Sequence, residues 1–190
     1  IVDQVDFTAD PANCYVATKA QHRYIFNPMI GGSSTPLETV EIRLLWQTKS
    51  KLVKYLDLSD GIASFYIDED EDNEGKVMPG NALIGAYNAD GEIIWSWHIW
   101  VTNNDPADNV IELGQASVMD VNLGAECNSG GSTDTQKIYE SYGMYYQWGR
   151  KDPFVGPKDY KFTGNRDATL YDNRSYEVYL NYAESTEEQG

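Results

Sequence analysis

The run Glu92-Ile93-Ile94-Trp95-Ser96-Trp97-His98-Ile99-Trp100-Val101 constrains this chain more than any other segment. With the alternation of a strand, Trp95, Trp97, Ile99 and Val101 fall on one face and Ile94, Ser96, His98 and Trp100 on the other. Tryptophan on both faces asks for cover on both sides, so the segment reads as a central strand. Upstream, Asn88-Ala89-Asp90-Gly91 separates it from the apolar run Leu83 to Tyr87, and Asp-Gly in that setting signals a hairpin.

Other segments repeat the strand pattern. Residues 13–18 and 22–26 alternate around a short polar break, as a first hairpin or two short strands. Gly31 to Pro36 has loop chemistry. Val40 to Trp46 follows as a strand with Val40, Ile42, Leu44 and Trp46 on one face, and Ile62 to Ile67 as another. Thr102 to Asn109, polar and holding Pro106, marks the best boundary, dividing a sheet-rich part (1–103) from a C-terminal part (104–190), although the two parts can also form one compact unit. Ser117 to Leu123 reads as one more strand. Ser132-Thr133-Asp134 offers an N-cap for a helix near 134–148, with Ile138, Tyr142, Tyr145 and Trp148 at helical spacing and so expected to face the core. Tyr146, one step round, is then expected nearer the surface. Gly149 and Pro153 end the helix, and Tyr176, Val178, Leu180 and Tyr182 alternate as a last strand. The fold class expected is mainly β, sandwich-like in its N-terminal part, with a small α+β C-terminal part.

Composition narrows the partners. Thirty acidic residues against 14 basic leave an excess of 16 negative charges, which repels phosphate backbones and argues against nucleic acid and anionic membranes. No apolar run approaches the roughly 20 residues that span a bilayer. The abrupt start at Ile1 reads as a processed mature form or an excised domain. Hydrophobic residues at 41%, with 14 Tyr and 5 Trp, supply a core and argue against disorder. Few Lys and many Tyr, Asn and Gly suit an extracellular protein.

Motifs of catalysis are missing. Nothing matches a phosphate loop, a zinc-protease helix, a nucleophile elbow or a dinucleotide fingerprint. His98, between Trp97 and Ile99, reads as a hydrogen-bonded core residue, with a spatial triad left open by sequence alone. Cys14, at a strand entry, and Cys127, in a loop, read as independent thiols more than as a disulfide. The acidic run Asp68 to Glu74 alternates oxygen ligands as a calcium loop does, which makes Asp68, Asp70, Asp72 and Glu74 a weak calcium set. Asn73 stands where an EF-hand needs Gly, so a solvated acidic loop is the favoured reading. No other cofactor is expected. Trp100, Tyr145, Tyr146 and Trp148 can stack on pyranose rings, although any one of them is more readily explained as core. Asn173-Arg174-Ser175 fits an N-glycosylation triplet.

Three long motifs, in order, carry a resemblance: Gly91 to Thr102, Val118 to Ala125, and Tyr142 to Phe154. With Ala12-Asn13-Cys14-Tyr15-Val16 upstream, they resemble surface proteins of Bacteroides-type bacteria that carry the Fibrobacter succinogenes major paralogous domain. At Val121 that family usually has Arg, and its Cys-Pro-x-Gly-Trp stretch has no counterpart here. The resemblance implies an exported lipoprotein or fimbria-associated adhesin at the outer-membrane surface, with a C-type-lectin-like C-terminal part. The expected function is therefore a non-catalytic adhesin or glycan-binding module whose partner is a glycan or a host or bacterial surface protein. Its ligand edge is expected at Tyr146, Arg150, Asp152 and Trp100. A structural subunit of a fimbria-like appendage, bound to other pilus subunits, is the alternative, and a hydrolase-associated module the second.

Overall fold

The structure, a computed structural model, describes residues 2–148 and 151–154 and the backbone of Tyr179–Leu180. Its strands are β1 (Asp3–Asp6), β2 (Cys14–Ala17), β3 (His22–Phe26), β4 (Glu41–Gln47), β5 (Lys54–Ser59), β6 (Ile62–Ile67), β7 (Gly80–Tyr87), β8 (Ile93–Val101), β9 (Val110–Leu113), β10 (Ala116–Met119) and β11 (Tyr179–Leu180). A single short helix, α1 (Thr135–Glu140), completes the elements among the described residues. The protein is mainly β, as its alternating runs demand.

Two sheets face each other. One has the order β1-β3-β6-β5, the other β11-β4-β7-β8-β2, and β9 with β10 forms a separate ribbon. Both large sheets are mixed, since β1 joins β3 and β2 joins β8 in parallel. Strands β2 and β3 therefore form no hairpin. The chain crosses from one sheet to the other between them, turning through Gln21 at φ +58°. Aromatic side chains fill the space between the sheets: Phe26 meets Trp97 at 5.0 Å between ring centroids, and Tyr24 stacks on Phe65 at 5.2 Å. Each such fully buried side chain contributes roughly 1.5–3 kcal/mol of hydrophobic stabilisation.

The β7–β8 hairpin forms around Asn88 to Gly91 as its Asp-Gly signal predicts. Strand β8 lies between β7 and β2 and is buried from Ser96 to Val101, so its two covered faces are real. A second Asp-Gly, Asp60-Gly61, turns β5 into β6 with both residues at positive φ, +52° and +75°, the geometry of a type I′ hairpin turn.

Local irregularity alters β4. A register shift between Leu44 and Trp46 breaks the alternation, leaving Ile42 and Leu44 buried while Gln47 turns inward. Val40, expected on the buried face, precedes the strand and is exposed. The acidic run is solvated from 71 to 76 and closes as a tight turn: Asp70 and Asn73 pair, and Lys76 returns the chain to Asp70. The expected strand at 117–123 contracts to β10, which pairs with the unanticipated β9. Of the expected last strand, only the backbone of Tyr179 and Leu180 is described, paired with Gln47 and Trp46. Tyr176, Val178, Tyr182 and the Asn173 triplet lie outside the described residues.

Candidate functional site

The outer face of β8 carries Ser96, His98 and Trp100, and Ala125, Tyr146, Lys151 and Asp152 lie over it. Each residue of that row bonds to this cover. Trp100 Nε1 donates to Ala125 O at 2.9 Å, Ser96 Oγ donates to the Asp152 carboxylate, and Lys151 Nζ donates to Ser96 O at 2.8 Å and pairs with Asp152 at 2.5 Å. Lys151 also sits over the Trp95 ring, 4.6 Å from its centroid, a cation–π contact. Asn81 of β7 links the same layers, its Nδ2 donating to Gly124 O at 2.9 Å.

That last bond fixes a proton on His98. Asn81 turns its Oδ1 toward His98 Nε2, 2.9 Å away, so Nε2 carries the hydrogen and donates. Nδ1 is the other ring nitrogen. It faces Cys14 Sγ at 3.2 Å and the Tyr146 hydroxyl at 3.4 Å. The parallel register of β2 on β8 sets Cys14 directly beside His98.

A thiol, an imidazole and an orienting amide in this order match the roles of a nucleophile, its base and the group that aims the base. The electrostatics oppose that chemistry. Burial pushes the Cys14 thiol up to about 12, whereas reactive thiols are depressed below their ordinary value. Burial also raises the Tyr146 phenol, and the nearby Cys14 adds to the effect. Both groups stay protonated at neutral pH. The network is a partly buried set of hydrogen bonds that ties Tyr146 to the sheet through His98. Cys14 and Cys127 are both free thiols.

The helix expected over 134–148 ends at Glu140. Its start agrees: the Asp134 carboxylate accepts from Gln136 N at 2.8 Å and Lys137 N at 3.2 Å as the N-cap. Its end is forced by Gly143, which takes φ +71° against Leu123 O and Asn122, where a Cβ has no room. Met144 N then bonds Leu123 O at 2.9 Å, and Tyr145 pairs with Phe154 in a short antiparallel bridge. The aromatics placed on the core face by helical spacing therefore lie outside. Tyr142, Tyr145 and Phe154 are exposed, and Trp148 is 101% exposed. In the extended segment Tyr145 points outward and Tyr146 sends its hydroxyl to His98, although Tyr146 keeps 43% of its surface exposed. Tyr145 and Phe154, directly opposed, bring their side chains to one face.

The residues of the expected ligand edge differ in their settings. Trp100 is 1% exposed and presents no stacking face. Asp152 is bonded to Ser96 and Lys151, and Arg150 lies outside the described residues. Tyr142, Tyr145, Trp148 and Phe154 are exposed aromatic rings of this segment, with Tyr145 and Phe154 opposed across their bridge.

In the acidic turn, Asp68 pairs with Lys54 at 2.6 Å, and Lys54 holds its carboxyl below the ordinary value. Glu69 accepts from Gln21 Nε2 at 2.9 Å and from Gly75 N, and Asp70 accepts from Asp72 N at 3.1 Å and Asn73 Nδ2 at 2.7 Å. These oxygens serve protein donors. Among the described residues no group of three or more His, Cys, Asp or Glu side chains is arranged to hold a metal ion, although Asp68, Asp70 and Asp72 line one cavity with Glu69 and Glu71. No helix of the described residues is long and apolar enough to cross a membrane.

No family model, curated protein or solved structure matches the chain.

Proposed function

We propose that the protein is a non-catalytic glycan-binding module of an exported, outer-membrane-associated surface adhesin, with its ligand on a ledge made by the exposed rings of Tyr145 and Phe154 and extended by Trp148. The carrying observation is the complete exposure of Trp148, three residues after an exposed Tyr145 that opposes an exposed Phe154. An indole held in water leaves uncompensated apolar area, and flat aromatic faces stack on the C–H side of pyranoses. The bonds beneath the ledge favour a rigid site, because Ser96, His98 and Trp100 anchor the cover to a strand buried on both faces. Rigid aromatic platforms bind at low entropic cost. The raised Cys14 thiol favours the non-catalytic reading of the neighbouring network. The family resemblance of the three motifs supports the surface location. A glycan array probed with the intact chain, with Tyr145→Ala and with Trp148→Ala tests the reading. Binding to a defined glycan, lost in both variants at unchanged melting temperature, is expected. Glycan binding that both variants retain, or no binding by the intact chain, overturns it.

A role as subunit of a fimbria-like appendage rests on a different feature. Strand β2 is the outer strand of its sheet among the described residues, so its far edge is where a neighbouring subunit's strand would add.

A further inference from the structure

We infer that the β9–β10 ribbon is a docking arm for a partner protein that offers an extended segment of apolar side chains flanked by Lys and Arg. This is independent of the glycan ledge. The ribbon turns tightly through Gly114-Gln115, with Gly114 at φ +70° as the first turn residue of a type II′ hairpin requires. Its pairing sets Leu113 opposite Ala116 and Ile111 opposite Val118. Directly opposed residues share a face, as do residues two apart on one strand. One face of the ribbon is therefore wholly apolar: Ile111, Leu113, Ala116 and Val118. The other face carries Val110, Met119, Glu112 and Ser117, with Ser117 Oγ donating to Glu112 at 2.8 Å.

All eight ribbon residues are exposed, Leu113 at 60% and Ile111 at 48%. An isolated two-stranded ribbon is marginal in water, and an all-apolar face turned to solvent marks a binding surface. Charge selects the occupant. Between Lys76 and Lys137 the chain has eight carboxylates and no Lys or Arg, with Asp108 and Asp120 at the base of the ribbon and Glu112 within it. A second copy brings the same negative charge and is repelled. A cationic, apolar segment is attracted electrostatically and covers the apolar face.

The test uses the intact chain and two synthetic extended peptides, one alternating Val with Lys and one alternating Val with Glu. Binding is followed by titration calorimetry at low and at raised salt. The account expects the Lys peptide to bind, more weakly as salt rises, and the Glu peptide not to bind. Ile111→Thr with Leu113→Thr keeps strand-forming residues while removing the apolar surface, and should weaken binding at least tenfold at unchanged melting temperature. Asp108→Asn with Glu112→Gln should flatten the salt dependence. Equal binding of both peptides, or none of the Lys peptide, overturns the inference. So does sedimentation showing a dimer that the double Thr variant abolishes, which makes a second copy the occupant. Strong hydrogen-exchange protection of the ribbon amides in the isolated chain also overturns it, since the chain then covers the face itself.

Discussion

Replacing Asn81 by Leu tests whether the cover over β8 is held by buried polar bonds. Asn81 is fully buried, and its side chain makes two bonds, Nδ2 to Gly124 O and Oδ1 from His98 Nε2, each 2.9 Å long. Leucine is of similar volume, so the cavity term is small. It strands a carbonyl and an imidazole N–H in a site closed to water. Each stranded group costs about 1–3 kcal/mol, so the variant should lose about 2–6 kcal/mol. For a chain of this size about 2–4 °C of melting temperature accompanies each kcal/mol, which gives a fall of roughly 4–24 °C. Calorimetry gives the melting temperature, and urea unfolding with an unchanged slope would assign the loss to the native state. A loss below about 0.5 kcal/mol, the ordinary range for surface substitutions, would refute the reasoning.

Three further outcomes follow from named contacts. Gly124→Ala should destabilise by more than about 1 kcal/mol, because Gly124 sits at φ +80° and a Cβ there meets Met144 and Asn81; a melt equal to the parent's would contradict this. In a spectroscopic thiolate titration, Cys14 should stay protonated until about pH 12, and ionisation near neutrality would restore the nucleophile reading. Lys54→Met should cost less than about 1 kcal/mol at neutral pH, since the pair with Asp68 is partly exposed. The folded-state value of Asp68 is lowered, so the pair's contribution is present above the ordinary carboxylate range and lost as pH falls through that lowered value. The variant's deficit should therefore vanish on acidification, and a deficit that persists in acid would assign it to lost packing.

Much of the fold was legible because its signals are local. Tryptophan on alternate faces of 95–100 marked the strand covered on both sides, and Asp90-Gly91 marked its hairpin. Asp134 was legible as a cap for the same reason. The helix length was not, because Gly143 takes its left-handed turn against Leu123, twenty residues upstream in the chain. Periodicity alone therefore carried the helix past its end and turned Tyr142, Tyr145 and Trp148 inward. The Cys14–His98 contact spans 84 residues and follows from a parallel pairing that no short-range pattern encodes. The β9–β10 ribbon was half visible. Gly114-Gln115 between Val110 to Leu113 and Ala116 to Met119 was the signal that would have located it.

The glycan-binding claim is tested most directly by titrating the array's best glycan into the parent chain, Trp148→Ala and Trp148→Phe, with a thermal melt of each. The account predicts at least a tenfold loss of affinity in Trp148→Ala, partial recovery in Trp148→Phe, and three melts that agree within the range of surface substitutions. Undiminished affinity in Trp148→Ala, or a loss that tracks a lowered melt, would contradict it.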